Sequence, residues 1–328
     1  MPRPTLKDLT EKTGFSRSTV ATILRGEEGR FAQETVARVK KAAQESGWKP
    51  NQQSRNLQKQ RFGALLYVFA TVGRHSNASP ALLVGLGEAA ERQGYHLVIQ
   101  PMDAELPRET PAFLNVRFYD GMIVNMNRFH AEAADAMEKW LNRFEVPVVW
   151  LNHDRPWNAL YPDEEGGARF IGKKLINAHA RRVLYVGPGA TGHFSAVHRP
   201  KRLQELLSAA GIAMERVGVD APEPGSYFGP ESAAALRRLD LASFDHLVFY
   251  GPYLIARFLA HTAGRFSAPP RILSFDCTES QDPPGMWPGV SIPWDELARR
   301  AVDMAVGRVE DGGKRAPSIV VDGVPIGV

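Results

Sequence analysis

A single cysteine, Cys277, is present in the 328 residues, so no intrachain disulfide can staple the fold, and a reducing compartment suits the chain. Long apolar runs are lacking as well. None approaches the roughly 20 residues that span a bilayer, and the first eight residues carry no apolar secretory core. A cytoplasmic protein with no membrane segment is expected. Catalytic motifs are equally scarce. No G-x-S-x-G elbow occurs, since Ser195 sits in His193-Phe194-Ser195-Ala196-Val197. No strong Ser/His/Asp or Cys/His constellation is offered, and no Cys/His/Asp cluster at ligand spacing joins His193 and His198. Neither catalytic nor metal-ligating residues are expected.

One motif points toward a dinucleotide. Gly187-Pro188-Gly189-Ala190-Thr191-Gly192 matches G-x-G-x-x-G after an apolar strand candidate. Three features weigh against that chemistry. Pro188 stiffens the turn, Gly192-His193-Phe194-Ser195 does not open a helix promptly, and Glu205, about 20 residues on, lies in a helical pattern instead of ending a second strand. No cofactor is expected, and a ligand-facing loop is.

What the chain does have is uneven charge. Residues 1–61 hold thirteen Lys and Arg against six Asp and Glu, while the remainder holds 27 against 30. A basic head on a slightly acidic body is the footprint of a nucleic-acid reader attached to something else. Spacing sharpens this. Thr5 with Asp8 begins a first helix, whose inner face is Leu6, Leu9, Thr10 and Thr13 and whose stop is Gly14. Ser16 caps a second helix, Arg17 to about Leu24, and a third runs from about Ala32 to Ser46 before Gly47. Two short helices joined by a Gly-apolar-Ser turn form a helix-turn-helix, whose second helix enters the major groove N-terminus first. Arg17, Ser18 and Thr22 would then face base edges, while Ser16 and Thr19 suit phosphate contacts.

Thr5-Leu6-Lys7-Asp8-Leu9, Gly14-Phe15-Ser16, Ser18-Thr19-Val20 and Ala42-Ala43 through Gly47-Trp48-Lys49-Pro50-Asn51 closely resemble the head of the LacI/GalR (lactose-repressor) family. Ala32 departs from the serine that usually caps the family's third helix. The resemblance implies a DNA-binding domain over 1–49, with Thr5 among its contacts, and a hinge over 50–61 that orders on DNA. Asn51, Ser54, Arg55 and Leu57 would make the hinge contacts, with Leu57 wedged into the minor groove of a bent site. Ser54 replaces the family's usual alanine.

Beyond residue 61, apolar runs alternate with amphipathic helical patterns, the βα repetition of parallel sheets. Phe275-Asp276, His179-Ala180-Arg181-Arg182 and Pro293-Trp294-Asp295-Glu296-Leu297-Ala298 sit in the family's order. The resemblance implies an effector-binding and dimerisation domain over 62–328. It is built as two Rossmann-like lobes of the periplasmic-binding-protein-like type, 62–158 with 290–317 and 159–289 with 318–328. The fold class expected is therefore an all-α helix-turn-helix head plus an α/β body. His193, Ser195, Arg199, Phe228 and Asp276 match the family's effector-binding positions.

Two departures bear on the ligand. Ser76-Asn77-Ala78-Ser79 replaces the family's Asn-Pro-Phe-Phe, and Pro252-Tyr253 replaces its Asn-Asp, removing bulk from one wall and a carboxylate from the other. The expected partners are double-stranded DNA carrying a pseudo-palindromic operator, a sugar or related metabolite, and a second copy of the chain. No leucine heptad tail follows, so a tail-mediated tetramer is not expected. Two rival readings are an effector-independent DNA binder with a degenerate sensor, and a ligand-binding or enzymatic α/β protein carrying a helix-turn-helix head.

Overall fold

The computed structural model describes residues 4–48, 60–72, 75–76, 79–103, 111–116, 118–126, 131–189, 193–219, 228–277 and 287–327. Internal contacts divide the chain into two compact units, Met1–Phe62 and Gly63–Val328.

In the first unit α1 (Leu6–Thr13), α2 (Arg17–Leu24) and α3 (Gln33–Ser46) follow one another, and local chemistry sets their ends. Thr5 and Asp8 close a reciprocal capping box, in which Asp8 Oδ2 accepts the Thr5 N–H at 2.7 Å. Gly14 ends α1 at φ 73°, a left-handed conformation that a side chain resists. Ser16 Oγ accepts the Thr19 N–H at 3.1 Å and opens α2. Ala32 precedes α3 with no side-chain acceptor. Leu9, Val20, Ile23, Val39, Ala42 and Ala43 are buried together, with Phe15 and Trp48 against them. The i, i+3 and i+4 spacing of these residues is what turns three short helices toward one core. All three helices lie where the sequence placed them.

The second unit begins with β1 (Ala64–Val72), β2 (His75–Ser76), α4 (Pro80–Arg92), β3 (His96–Asp103), α5 (Ala112–Asn115), β4 (Gly121–Asn125), α6 (Ala131–Leu141), β5 (Val148–Leu151) and β6 (Ala159–Pro162). It continues through α7 (Glu164–Asn177), β7 (Arg182–Pro188), α8 (Phe194–Ala209), β8 (Ala213–Val219), α9 (Pro230–Arg238), β9 (His246–Phe249), α10 (Ile255–His261), β10 (Arg271–Phe275) and β11 (Gly289–Ser291). It closes with α11 (Trp294–Glu310), β12 (Ile319–Val321) and β13 (Val324–Ile326).

Two sheets result. The first runs β12-β6-β5-β4-β1-β3, all parallel, with β2 folded back on the end of β1. The second runs β13-β11-β10-β9-β7-β8, parallel except for β13. In each, the first strand has its successors on both sides, β1 between β3 and β4 and β7 between β8 and β9. The crevice beyond the carboxyl ends of strands at such a reversal is the natural ligand position in an open α/β sheet. Strands β4, β5 and β9 are buried along their whole length, which is why they read as unbroken apolar runs. Gly289 is forced by close packing, since a Cβ there would lie 1.8 Å from the Ser274 carbonyl oxygen.

The chain crosses between lobes after β6, after β11 and after β12. The Asp163 N–H donates to the Val321 carbonyl at 2.8 Å and ties two crossings together. This corrects the expected lobe limits: residues 159–162 and 319–321 belong to the first sheet, not to the second lobe. Leu160 and Val321 bury in the first lobe's core, and the two short strands pair in parallel beside β5. A second correction concerns α8. The expected helix from Pro200 starts at Phe194, so His193 does lead directly into a helix. Pro200 sits inside it and lacks one N–H, while Phe194, Ser195, Ala196, Arg199 and Leu203 are buried along its length.

Candidate functional site

The head presents the N-terminal part of α2. Arg17 and Ser18 are exposed there, Thr19 and Thr22 are half-buried, and Val20 and Ile23 face the core. Ser16 Oγ also lies 2.8 Å from Ser18 Oγ and 2.9 Å from Thr19 Oγ1, so capping and a cluster of hydroxyls share one helix end. Unpaired N–H groups at such an end favour an anion. Thr22 Oγ1 accepts from Arg25 at 3.1 Å, and Thr5 is committed to the capping box of α1. Asn51, Ser54, Arg55 and Leu57 lie outside the described residues.

In the body, the expected residues converge at the carboxyl edge of the second sheet. His193 immediately precedes α8, Ser195 and Arg199 follow on that helix, Tyr250 leaves β9 and Asp276 leaves β10. His193 Nε2 donates to the Asn152 carbonyl at 3.1 Å, which reaches across to the residue after β5. A carbonyl can only accept, so the proton sits on Nε2 and Nδ1 accepts from Ser195 Oγ at 2.5 Å. Ser195 Oγ in turn accepts from the Tyr250 hydroxyl at 2.6 Å. Burial holds the imidazole neutral by pushing its pKa down to about 3, with Arg199 acting in the same sense.

Arg199 is 3% exposed. Nε and Nη2 both donate to Glu164, the latter at 2.8 Å to Oε1, and Nη1 donates to the Tyr250 carbonyl at 2.8 Å. The guanidinium lies over the Tyr250 and Phe275 rings, 4.5 and 5.1 Å from their centroids. Burial alone would lower its pKa, but the Glu164 carboxylate more than offsets that and keeps it charged. Asp276 adopts φ 52°, a left-handed conformation aspartate tolerates better than most residues. Its Oδ1 is enclosed without a close donor among the described residues, and the indole N–H of Trp294 is the donor that lies toward this carboxyl. Burial pushes the Asp276 pKa up to about 6 against the pull of Arg199, and Glu164 adds to the rise.

Four of the five expected body residues thus share one polar group. Phe228 packs elsewhere, in the second lobe's apolar core with Leu236, Phe249 and Leu254 and edge-on to His261 at 5.5 Å. Glu164, Tyr250 and Asn152 were not singled out in the sequence. Glu164 reads there as ordinary acid in the first turn of a helix, and Tyr250 as the last residue of an apolar strand. Among the described residues no group of three or more His, Cys, Asp and Glu could hold a metal ion.

A helical head of this kind joined to two parallel sheets with a ligand-type edge defines a helix-turn-helix regulator with a periplasmic-binding-protein-like body. No family model matches the chain. It is 24% identical to the HTH-type transcriptional regulator CelR of Thermobifida fusca over 328 residues, covering 94% of this chain and 92% of that protein. Its fold matches the lac repressor dimer bound to operator and the anti-inducer ONPF, with a TM-score of 0.67 and 17% identity over 99% of this chain and 98% of the other. A CelR–cellobiose complex matches with a TM-score of 0.64 and 20% identity, over the same shares of each chain. In sequence and fold the chain is thus similar to HTH-type transcriptional regulators of this kind, and its head motif resembles that of the LacI/GalR family.

Proposed function

We propose that the chain is a transcriptional repressor in which α2 of the head reads an operator half-site and the body binds a small hydroxyl-rich effector at the carboxyl edge of its second sheet. The observation that carries this reading is the exposure of Arg17 and Ser18 at the capped start of α2, with Val20 and Ile23 of that helix turned into the head core. Arg17 can reach two acceptors on a guanine edge, and Ser16 and Thr19 lie where a phosphate would meet the helix end. One such head offers few contacts, so two copies on a pseudo-palindromic site supply the selectivity. Arg199, Asp276 and the His193–Ser195–Tyr250 chain provide the polar groups for the effector. Because His193 reaches Asn152 across the lobes, a ligand inserted there biases lobe geometry and, with it, the DNA-competent state.

The test is selection of the full chain on random duplexes, followed by a metabolite screen that scores changes in affinity for the selected site. The expected result is enrichment of a two-fold repeated sequence and a metabolite that alters its binding. No sequence preference at low salt, with and without metabolites, would refute the DNA-reading role.

A further inference from the structure

We propose that Glu164 fixes the charge class of the effector: the site takes a hydroxyl-rich molecule that carries no negative charge and refuses a free carboxylate or phosphate. This rests on the reading of the sheet edge as a ligand site and adds which chemistry it selects.

An arginine captures an anion through one of two edges, each presenting a parallel pair of N–H groups. The Nε–Nη2 edge of Arg199 is already taken up by the two oxygens of Glu164, and Nη1 has a backbone acceptor, the Tyr250 carbonyl. Aromatic rings lie against the guanidinium. Glu164 also cancels its charge, and both groups of the pair are 5% exposed or less. An incoming anion would therefore meet Asp276, a second carboxylate, for which Arg199 is the facing cation among the described residues. His193 is neutral and adds no positive charge. The remaining hydrogen-bonding position has the opposite preference. Asp276 Oδ1 is enclosed without a close donor, and the indole N–H of Trp294 is the neighbouring donor turned to that carboxyl. A hydroxyl or an ammonium answers the open oxygen, and a carboxylate or phosphate cannot.

The test uses thermal melting of the full chain at constant ionic strength with glucose, glucosamine and glucuronate, which place a hydroxyl, an ammonium or a carboxylate on one sugar frame. Inorganic phosphate serves as a probe of anion binding alone. In the wild type, neither glucuronate nor phosphate should raise the melting temperature. In Glu164→Gln, phosphate should bind at least about tenfold more tightly than in the wild type, the scale of one lost opposing charge at close range. The double variant Glu164→Gln/Arg199→Gln should lose that response, which locates the anion on Arg199. Glu164→Asp, with its carboxylate withdrawn, tests the same direction if the glutamine variant does not fold. Anion binding by the wild type that disappears in Arg199→Gln would overturn the proposal, as would indifference of the Glu164 variants to phosphate. If no sugar binds any version while the phosphate results are as expected, the charge assignment stands and the effector reading fails.

Discussion

Replacing Ala32 by serine should stabilise the head by about 1 kcal/mol. The head contains its own reference. Thr5 and Ser16 each place a side-chain oxygen on the N–H three residues on, whereas Ala32 offers nothing to the first turn of α3. Backbone angles at Ala32, φ −61° and ψ 142°, match those at Ser16, φ −65° and ψ 153°, so serine fits without adjustment. The site is exposed, and the new hydroxyl is not desolvated. A gain of about 1 kcal/mol slows amide exchange through opening of the head about fivefold, and for a unit of this size it corresponds to a rise of about 4–8 °C in melting temperature. Native-state hydrogen exchange on the full chain resolves α3 amides from those of the body. Ser16→Ala, the reciprocal control, should speed exchange in α2 by a similar factor. Unchanged α3 exchange in Ala32→Ser, alongside the expected loss in Ser16→Ala, would refute the reasoning by showing that water already satisfies the first turn of α3.

Arg17→Ala should weaken binding to the selected site by about 1–3 kcal/mol and relax preference at one base pair, measured by repeating the selection; uniform weakening on all sequences would make Arg17 a phosphate contact. Glu164→Ala should destabilise the body by about 3–5 kcal/mol, because it strands Arg199 without its carboxylate; a denaturant midpoint equal to that of the wild type would contradict the pairing. Asp276 titrates in the folded state near 6, above its unfolded value, so the folded state holds the proton more tightly. Its contribution to stability is therefore full at acid pH and declines as pH rises from about 4 through about 6. Asp276→Asn should gain on the wild type across that interval in denaturant titrations, and a constant difference would exclude the linkage.

The head was legible almost to the residue because its boundaries are local events. Thr5 with Asp8, Gly14, Ser16 and Gly47 act within one turn of where they stand. The body was legible where a strand is buried on both faces, as at Gly121–Asn125 and His246–Phe249. It failed where the strand is short or mixed. Ala213–Val219 carries Glu215 and Arg216 along the sheet edge, and Ala159–Pro162 owes its place to Leu160 meeting partners far along the chain. At the sheet edge, Arg199 was reached through the family resemblance and not through any local helical pattern, which the sequence began only at Pro200. Its partner Glu164 is 35 residues away in sequence, on another helix, and nothing local distinguishes a carboxylate that meets a buried guanidinium from one that meets water.

The triple crossing between lobes has a consequence for biosynthesis. The last strand of the first sheet, residues 319–321, and the helix over 294–310 that packs beneath it emerge from the ribosome after all of the second sheet but its edge strand, residues 324–326. Neither lobe can finish while the other is still being made, because the second lobe in turn waits for residues 324–326. Vectorial, lobe-by-lobe maturation is thereby closed to the body. Its two halves must be completed together once residues 319–326 have been made, and a chain lacking those residues leaves both sheets with an open edge.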